Sequence, residues 1–429
     1  MGGAGELGLR ELVAIGIGGM IGGGIFSVLG LAVSLAGAAA PWAFAVGGLV
    51  ALLAGYAYVR LALSFHSDGA SFTYLEHAFP DRPFIGSFTG WLVVVGYIGT
   101  LALYAFTFGA YAAELLHLVD SHLVRQGLST GIVLVFAYIN LRGARSSGLA
   151  EDLIVYSKVL LLVLLAVAGM SSVDEERFRT NVDHDWRSIV MAGALIFVAY
   201  EGFQLITNAV CESRQPERNI PRGIYISIAV VTLIYVSISA VAVGSLDVQA
   251  LVEAREYALA VAARPALGDL GTVLVCLAAM LSTASAINAT MFGAARMMAE
   301  MAVHGEMPKP FSFRNRAAVP WLAVVIISAV TLGLATLGGL AFIASFSSLT
   351  FLAVSLSVCL SNWRLRRVTG ANPFLSAMGL LMLALTIATL VYYLLTEQPQ
   401  TCLEISSMYL VVLLASMTWH LRNRARLHS

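Results

Sequence analysis

Residues 14–30 read AIGIGGMIGGGIFSVLG, a stretch apolar enough to enter a bilayer yet badly suited to stay helical there. Six glycines fall between Gly16 and Gly24, and at roughly 1 kcal/mol of helix propensity lost per glycine relative to alanine they cost the segment about 6 kcal/mol. The weak point is Gly22-Gly23-Gly24. In hydrocarbon an opened backbone leaves N–H and C=O groups unpaired, so an unwound segment persists only where it is buried in protein or lines a polar cavity. Glycines also serve close helix packing in small-xxx-small interfaces. The rest of the chain has to decide between a break that makes a site and a simple packing seam.

Composition sets the class. Of 429 residues, 59% are hydrophobic and 12% charged, against about a quarter charged in globular proteins, which reads as a polytopic membrane protein. Lys+Arg and Asp+Glu both number 25, so net charge points to neither nucleic acid nor an acidic partner. The opening MGGAGELGLRE lacks the pattern of a cleaved signal peptide, so the first apolar segment is expected to remain as a membrane helix. Cys211, Cys276, Cys359 and Cys402 lie in or beside apolar segments without paired spacing, as isolated thiols rather than a disulfide framework or metal set.

Apolar runs of about 20 residues occur twelve times: 11–36, 41–65, 84–114, 124–141, 150–171, 188–211, 222–245, 267–298, 318–336, 338–361, 373–396 and 403–421. An even number puts both ends on one side. If that side is the cytoplasm, 18 basic residues, from Arg10 and Arg60 through Arg145 to Arg424 and Arg426, lie at inner ends and loops. Six lie outside: Arg125, Arg177, Arg179, Arg187, Arg255 and Arg264. The positive-inside rule supports this orientation, and localisation at the cell (plasma) membrane follows.

The halves repeat coarsely. Span six carries Phe197-Val198-Ala199-Tyr200-Glu201-Gly202-Phe203 at its middle, a polar, glycine-containing interruption 180 residues beyond Gly22. Two interrupted segments in corresponding positions point to an inverted-repeat transporter with its site near the midplane. The expected organisation is a single transmembrane domain over 1–429. Repeat one covers about 9–171, repeat two about 186–361, and extra helices about 373–421. The loop 246–266 is expected to lie over the outer vestibule.

Three blocks carry a resemblance: GMIGGGIF from Gly19, FVAYEGFQLITNAVCESRQPERNIPRGI from Phe197, and SAINATMFGAARMMAEMAVHGEMPKPF from Ser285. In order and spacing they resemble the amino acid, polyamine and organocation (APC) transporter superfamily over essentially the whole chain, most closely the prokaryotic amino acid/proton symporters. The resemblance implies an all-α LeuT-type fold of twelve transmembrane helices, five plus five in inverted repeat plus two, with spans one and six unwound. One departure stands at Val198, where several relatives carry an aromatic gate.

The chemistry follows from both lines. Where span one resumes near Ile25, free N–H groups and the positive end of a helix dipole suit a carboxylate. By similarity Gly23 and Gly24, beside Gly22, supply the donors, and the carbonyls of Met20, Val198 and Glu201, beside Gly202, take the substrate ammonium. Lys158 lies eight residues into its apolar run, about 12 Å deep at 1.5 Å per residue, and an intramembrane lysine is a functional candidate by default. In the resembling symporters a lysine here stands in a relative's sodium site, and its proton is the coupling ion. Lys158 is expected beside span one, held by backbone carbonyls or by the span-eight hydroxyls, with Ser282, Thr283 and Ser285 as candidates for its surroundings. Glu201 either faces the cavity and selects cationic substrates or turns aside to hold an arginine or a helix end. With small and apolar surroundings and Val198 in place of an aromatic, neutral L-amino acids are expected, with broad tolerance. An exchanger, or a carrier of cationic amino acids or polyamines, is the alternative. The sequence has no HExxH, no GxGD and no Cys/His cluster for an intramembrane enzyme, no metal set and no cofactor motif. Interrupted helices in two halves favour alternating access over a channel.

Overall fold

The computed structural model describes residues 7–66, 70–143, 148–174, 176–177 and 186–427. Arg145 and Arg179 lie outside the described residues, and so do the side chains of Arg424 and Arg426. Within these limits the chain is all-helical, apart from one isolated bridge between Leu7 and Ser213. Among the described residues ten helical segments are long and apolar enough to cross a membrane.

The first apolar run is split into α1 (Leu9–Met20) and α2 (Gly24–Ala36). α2 runs through Gly37, with φ of 53°, into α3 (Ala40–Phe65). A short α4 (Ala70–Ala78) precedes α5 (Pro83–Leu115), α6 (His122–Leu141) and α7 (Gly148–Gly169). α8 (Trp186–Leu195) gives way to 3₁₀ turns at Ile196–Tyr200 and Phe203–Ala209. Next come α9 (Pro216–Ser245), the short α10 (Val248–Ala254) and α11 (Ala258–Val303), with Gly268 non-helical inside it. α12 (Trp321–Leu337), α13 (Leu340–Arg364), the one-turn α14 (Arg366–Thr369), α15 (Pro373–Glu397) and α16 (Pro399–Leu427) complete the chain.

Local chemistry explains several boundaries. Prolines open α3, α5, α9 and α15, where the missing N–H is one the first helical turn leaves unpaired anyway. Asn372 caps α15, its Oδ1 accepting from the Phe374 and Leu375 amides at 2.9 and 3.4 Å. The apolar runs 84–114 and 267–298, the longest of the twelve, differ in kind. α5 is one 33-residue helix, whereas the 46 residues of α11 are two helices merged across the Gly268 kink.

Burial sorts the helices into a core and a shell. Trp186–Ala209 and α5 are 78% buried over their most apolar windows, while α16 is only 11% buried. α6, α7 and α16 present large exposed apolar side chains, among them Leu134, Leu160, Val167 and Val411, as expected of helices that face lipid tails as apolar as themselves. The core encloses the two interrupted spans. At one end, the Leu7 amide donates to the Glu212 carbonyl at 3.0 Å and the Arg214 amide to the Leu7 carbonyl at 2.7 Å, tying the base of α1 to the end of span six. At the other end α10 and the turn Arg255–Tyr257 pack on α2, with the Arg255 backbone against Gly30. The turn is also held by Arg125 of α6, 3.8 Å from Glu256.

Candidate functional site

The two breaks meet. Span one leaves helical geometry after Met20 and resumes at Gly24, with the Gly22 amide donating back to the Gly19 carbonyl at 3.3 Å. Span six opens at Glu201, extended at ψ 126°, and Gly202, with φ of 136°. A Cβ at Gly202 would stand 2.5 Å from the Gly19 carbonyl carbon and 2.6 Å from the Met20 nitrogen. Backbone rests on backbone there, which only glycine permits in that conformation.

The opened carbonyls are satisfied by hydroxyls and an ammonium from other helices, as a broken helix in hydrocarbon requires. Ser282 of α11 donates to the carbonyls of Ile21 and Gly22, at 2.6 and 2.8 Å. Tyr235 of α9, fully buried, lies 2.8 Å from the Met20 carbonyl and 3.2 Å from that of Ala199, bridging the two spans. Ser348 of α13 donates to the Leu195 carbonyl at 2.6 Å and accepts from the Val198 amide at 2.9 Å. The Ser27 hydroxyl donates to the Gly23 carbonyl at 2.7 Å and accepts from Thr107 at 2.8 Å. Replacing Ser282 with alanine strands two buried carbonyls, at about 1–3 kcal/mol for each unsatisfied group. Ser282→Ala is expected to lower substrate affinity at least tenfold with little loss of folded protein, measured by substrate binding to purified variant.

Lys158 is 4% exposed and donates from Nζ to the Gly18 carbonyl at 2.9 Å, fastening α7 to the last turn of α1. Of the hydroxyls expected around it, two have their bonds elsewhere. Ser282 serves the break, Thr283 donates to the Ala279 and Met280 carbonyls of its own helix, and Ser285 is half-buried. A hydroxyl inside a helix finds its own i−4 carbonyl first, which explains Thr283. An apolar cavity of about 430 Å³ lies between α1 and α7, lined by Val13 and Ile17 of α1 and by Val155 and Val159 of α7. Arg10 and Tyr156 close one side of it, 3.1 Å apart from Nε to hydroxyl.

On the far side of the break α2 begins at Gly24, and its first N–H groups have no partner inside the helix. The Tyr104 ring lies against Gly23 and the Tyr235 hydroxyl against Gly24. The structure thus groups Met20, Gly22, Gly23, Gly24, Glu201 and Gly202 at one crossing, with Val198 a turn away. The Met20 carbonyl already accepts from Tyr235, and its second lone pair is what an ammonium would use. The Glu201 side chain is 5% exposed, and no ion pair reaches it among the described residues. Tyr235, Ser348 and Tyr104 had no signal in the sequence beyond being polar groups in apolar runs, Ser348 one of four hydroxyl residues within 345–350.

The chain is similar to known transporters over most of its length. A family model described as amino acid permease matches residues 7–417. The inner membrane transport protein YbaT of Escherichia coli is 32% identical over 413 residues, covering 96% of this chain and 95% of that protein. The methylthioribose transporter of Bacillus subtilis is 25% identical over 371 residues, 81% of this chain and 79% of its own. The serine/threonine exchanger SteT of the same organism is 26% identical over 334 residues, 74% of each chain. A multi-pass membrane transporter, and not an enzyme, is the class these matches define. The chain belongs to the amino acid permease family of the APC superfamily, which implies a LeuT-type fold.

Proposed function

We propose that this permease carries small and medium neutral L-amino acids across the cell membrane by alternating access, in symport with a proton carried on Lys158. In this reading twelve helices span the membrane with both termini in the cytoplasm. Repeats 9–171 and 186–361 are inverted copies, and 373–421 stand outside them. The substrate carboxylate sits on the Gly23 and Gly24 amides at the start of α2, where helix dipole and free donors coincide. Its ammonium takes the carbonyls of Met20, Val198 and Glu201.

The observation that carries the reading is the Lys158 ammonium on the Gly18 carbonyl, one turn below the break. A charge at this depth is expensive, and its proton and the geometry of span one are linked through a single hydrogen bond. Loss of the proton loosens α1 from α7, and opening of α1 exposes the lysine. The exchange reading has one support of its own, since the relative SteT is named an exchanger; uptake into liposomes that hold no internal amino acid separates it from symport.

Binding to purified protein tests the substrate. Alanine is expected to bind, ethylamine, its decarboxylated counterpart, to bind at least a hundredfold more weakly, and arginine to bind worse than alanine in wild type and in Glu201→Gln. Equal binding of ethylamine removes the carboxylate site from the glycines. An arginine preference that disappears in Glu201→Gln establishes the cationic alternative.

A further inference from the structure

Glu201 has a buried carboxyl oxygen, Oε2, with no hydrogen-bond partner among the described residues. It lies beside Gly202, at the crossing of the two spans. Its charged or titratable neighbours are the phenols of Tyr58, Tyr97 and Tyr104; no ion pair reaches it among the described residues. A structural carboxylate at this depth would be paired, because an unpaired buried polar group costs the full desolvation of that group.

Glu201 is not alone. The Ser347 hydroxyl of α13, fully buried and facing Gly99 of α5, has no partner either. The neighbouring Ser348, by contrast, is fully used on the Leu195 carbonyl and the Val198 amide. Gln204 Oε1, three residues past Glu201, is a third buried acceptor without a donor. Among the described residues the buried hydroxyls of Tyr74, Ser87, Ser245 and Thr331 also lack a partner, and Glu201 is the one carboxyl in that set. What is missing is a donor.

The walls restrict what can bring one. The Tyr104 ring packs on Gly23, so the carboxylate-binding amides and the Glu201 surroundings share one aromatic wall. The α5–α13 contact at Gly99 closes the side where Ser347 lies, 2.6 Å from where a glycine Cβ would be. A ligand bound by its α-carboxylate at Gly23 would have to place its side chain between these walls, which favours a short one.

Resting on the reading that the break is the amino acid site, we infer that Glu201 determines side-chain specificity, accepting a hydrogen bond from a short neutral donor. The substrate class is then the β-hydroxy amino acids, serine and threonine, ahead of apolar side chains of the same size. A site built to bond a hydroxyl discriminates against the analogue lacking it, because its own polar group is then left unpaired.

Threonine and valine are nearly isosteric and differ in that donor. The experiment is competition by each against labelled alanine uptake into proteoliposomes. Wild type is expected to favour threonine by tenfold or more, about the worth of one hydrogen bond to a buried carboxyl. Glu201→Gln, whose amide oxygen still accepts, is expected to keep part of that preference, and Glu201→Leu to lose it. Equal inhibition by threonine and valine in wild type overturns the inference, and so does a threonine preference that survives Glu201→Leu. Ornithine outcompeting threonine overturns it as well, in favour of a cation. If the leucine variant fails to fold, the wild-type ratio and its decrease in Glu201→Gln decide. Alanine uptake serves as the internal reference: uptake with a ratio of one defeats this inference alone, whereas no uptake of any amino acid defeats the amino acid reading itself.

Discussion

Lys158→Ala is expected to abolish the response of amino acid uptake to an imposed pH gradient while leaving substrate-driven exchange measurable. The lysine lies deeper inside an apolar run than any other basic residue of the sequence, and its hydrogen bond is to the Gly18 carbonyl on the half-helix leading to the break. Alanine removes both the proton carrier and the tether between α7 and α1, leaving an apolar methyl that has no protonation-dependent preference for either position of α1. Accumulation driven by the gradient should therefore fall to the level set by substrate equilibration. Concentrative uptake retained in Lys158→Ala would place the coupling elsewhere, and Glu201 is the next candidate, being the other buried ionisable group at the crossing.

Gly202→Ala is expected to eliminate transport and substrate binding together. At φ of 136° a side chain is strained by about 1–3 kcal/mol, and the added methyl would stand 2.5 Å from the backbone of Gly19. A flexible side chain could yield; two crossing main chains relieve the overlap only by moving apart, which dismantles the site. Gly293→Ala on α11 is the control, since a Cβ there meets nothing within 4 Å and alanine gains up to about 1 kcal/mol of helix propensity. That variant should transport like wild type. Wild-type binding by Gly202→Ala would contradict the crossing.

The span-one break was legible because its signal is local and dense: consecutive glycines lower helix propensity just where the chain has no other reason to hold them. Span six was harder to read. It holds two glycines, Gly193 and Gly202, of which only Gly202 sits at the break, and the structure converts the flanks to 3₁₀ turns rather than to loop. The groups that hold the breaks open were not legible. Tyr235, Ser348 and Ser282 lie from about 150 to more than 260 residues away from carbonyls they serve. A lone hydroxyl in an apolar helix looks the same in sequence whether it bonds to its own i−4 carbonyl, as Thr283 does, or caps another span, as Ser282 does. Lys158 was visible as a buried charge, but only the packing of α7 on α1 shows that its partner is a backbone carbonyl instead of a hydroxyl.

Proton symport is tested most directly by uptake of a labelled neutral L-amino acid into proteoliposomes with and without an inward-directed pH gradient, the vesicles holding no internal substrate. Symport through the broken spans predicts accumulation above the external concentration under the gradient and its collapse when a protonophore is added. Uptake that never exceeds equilibration, or that requires amino acid inside, would contradict it.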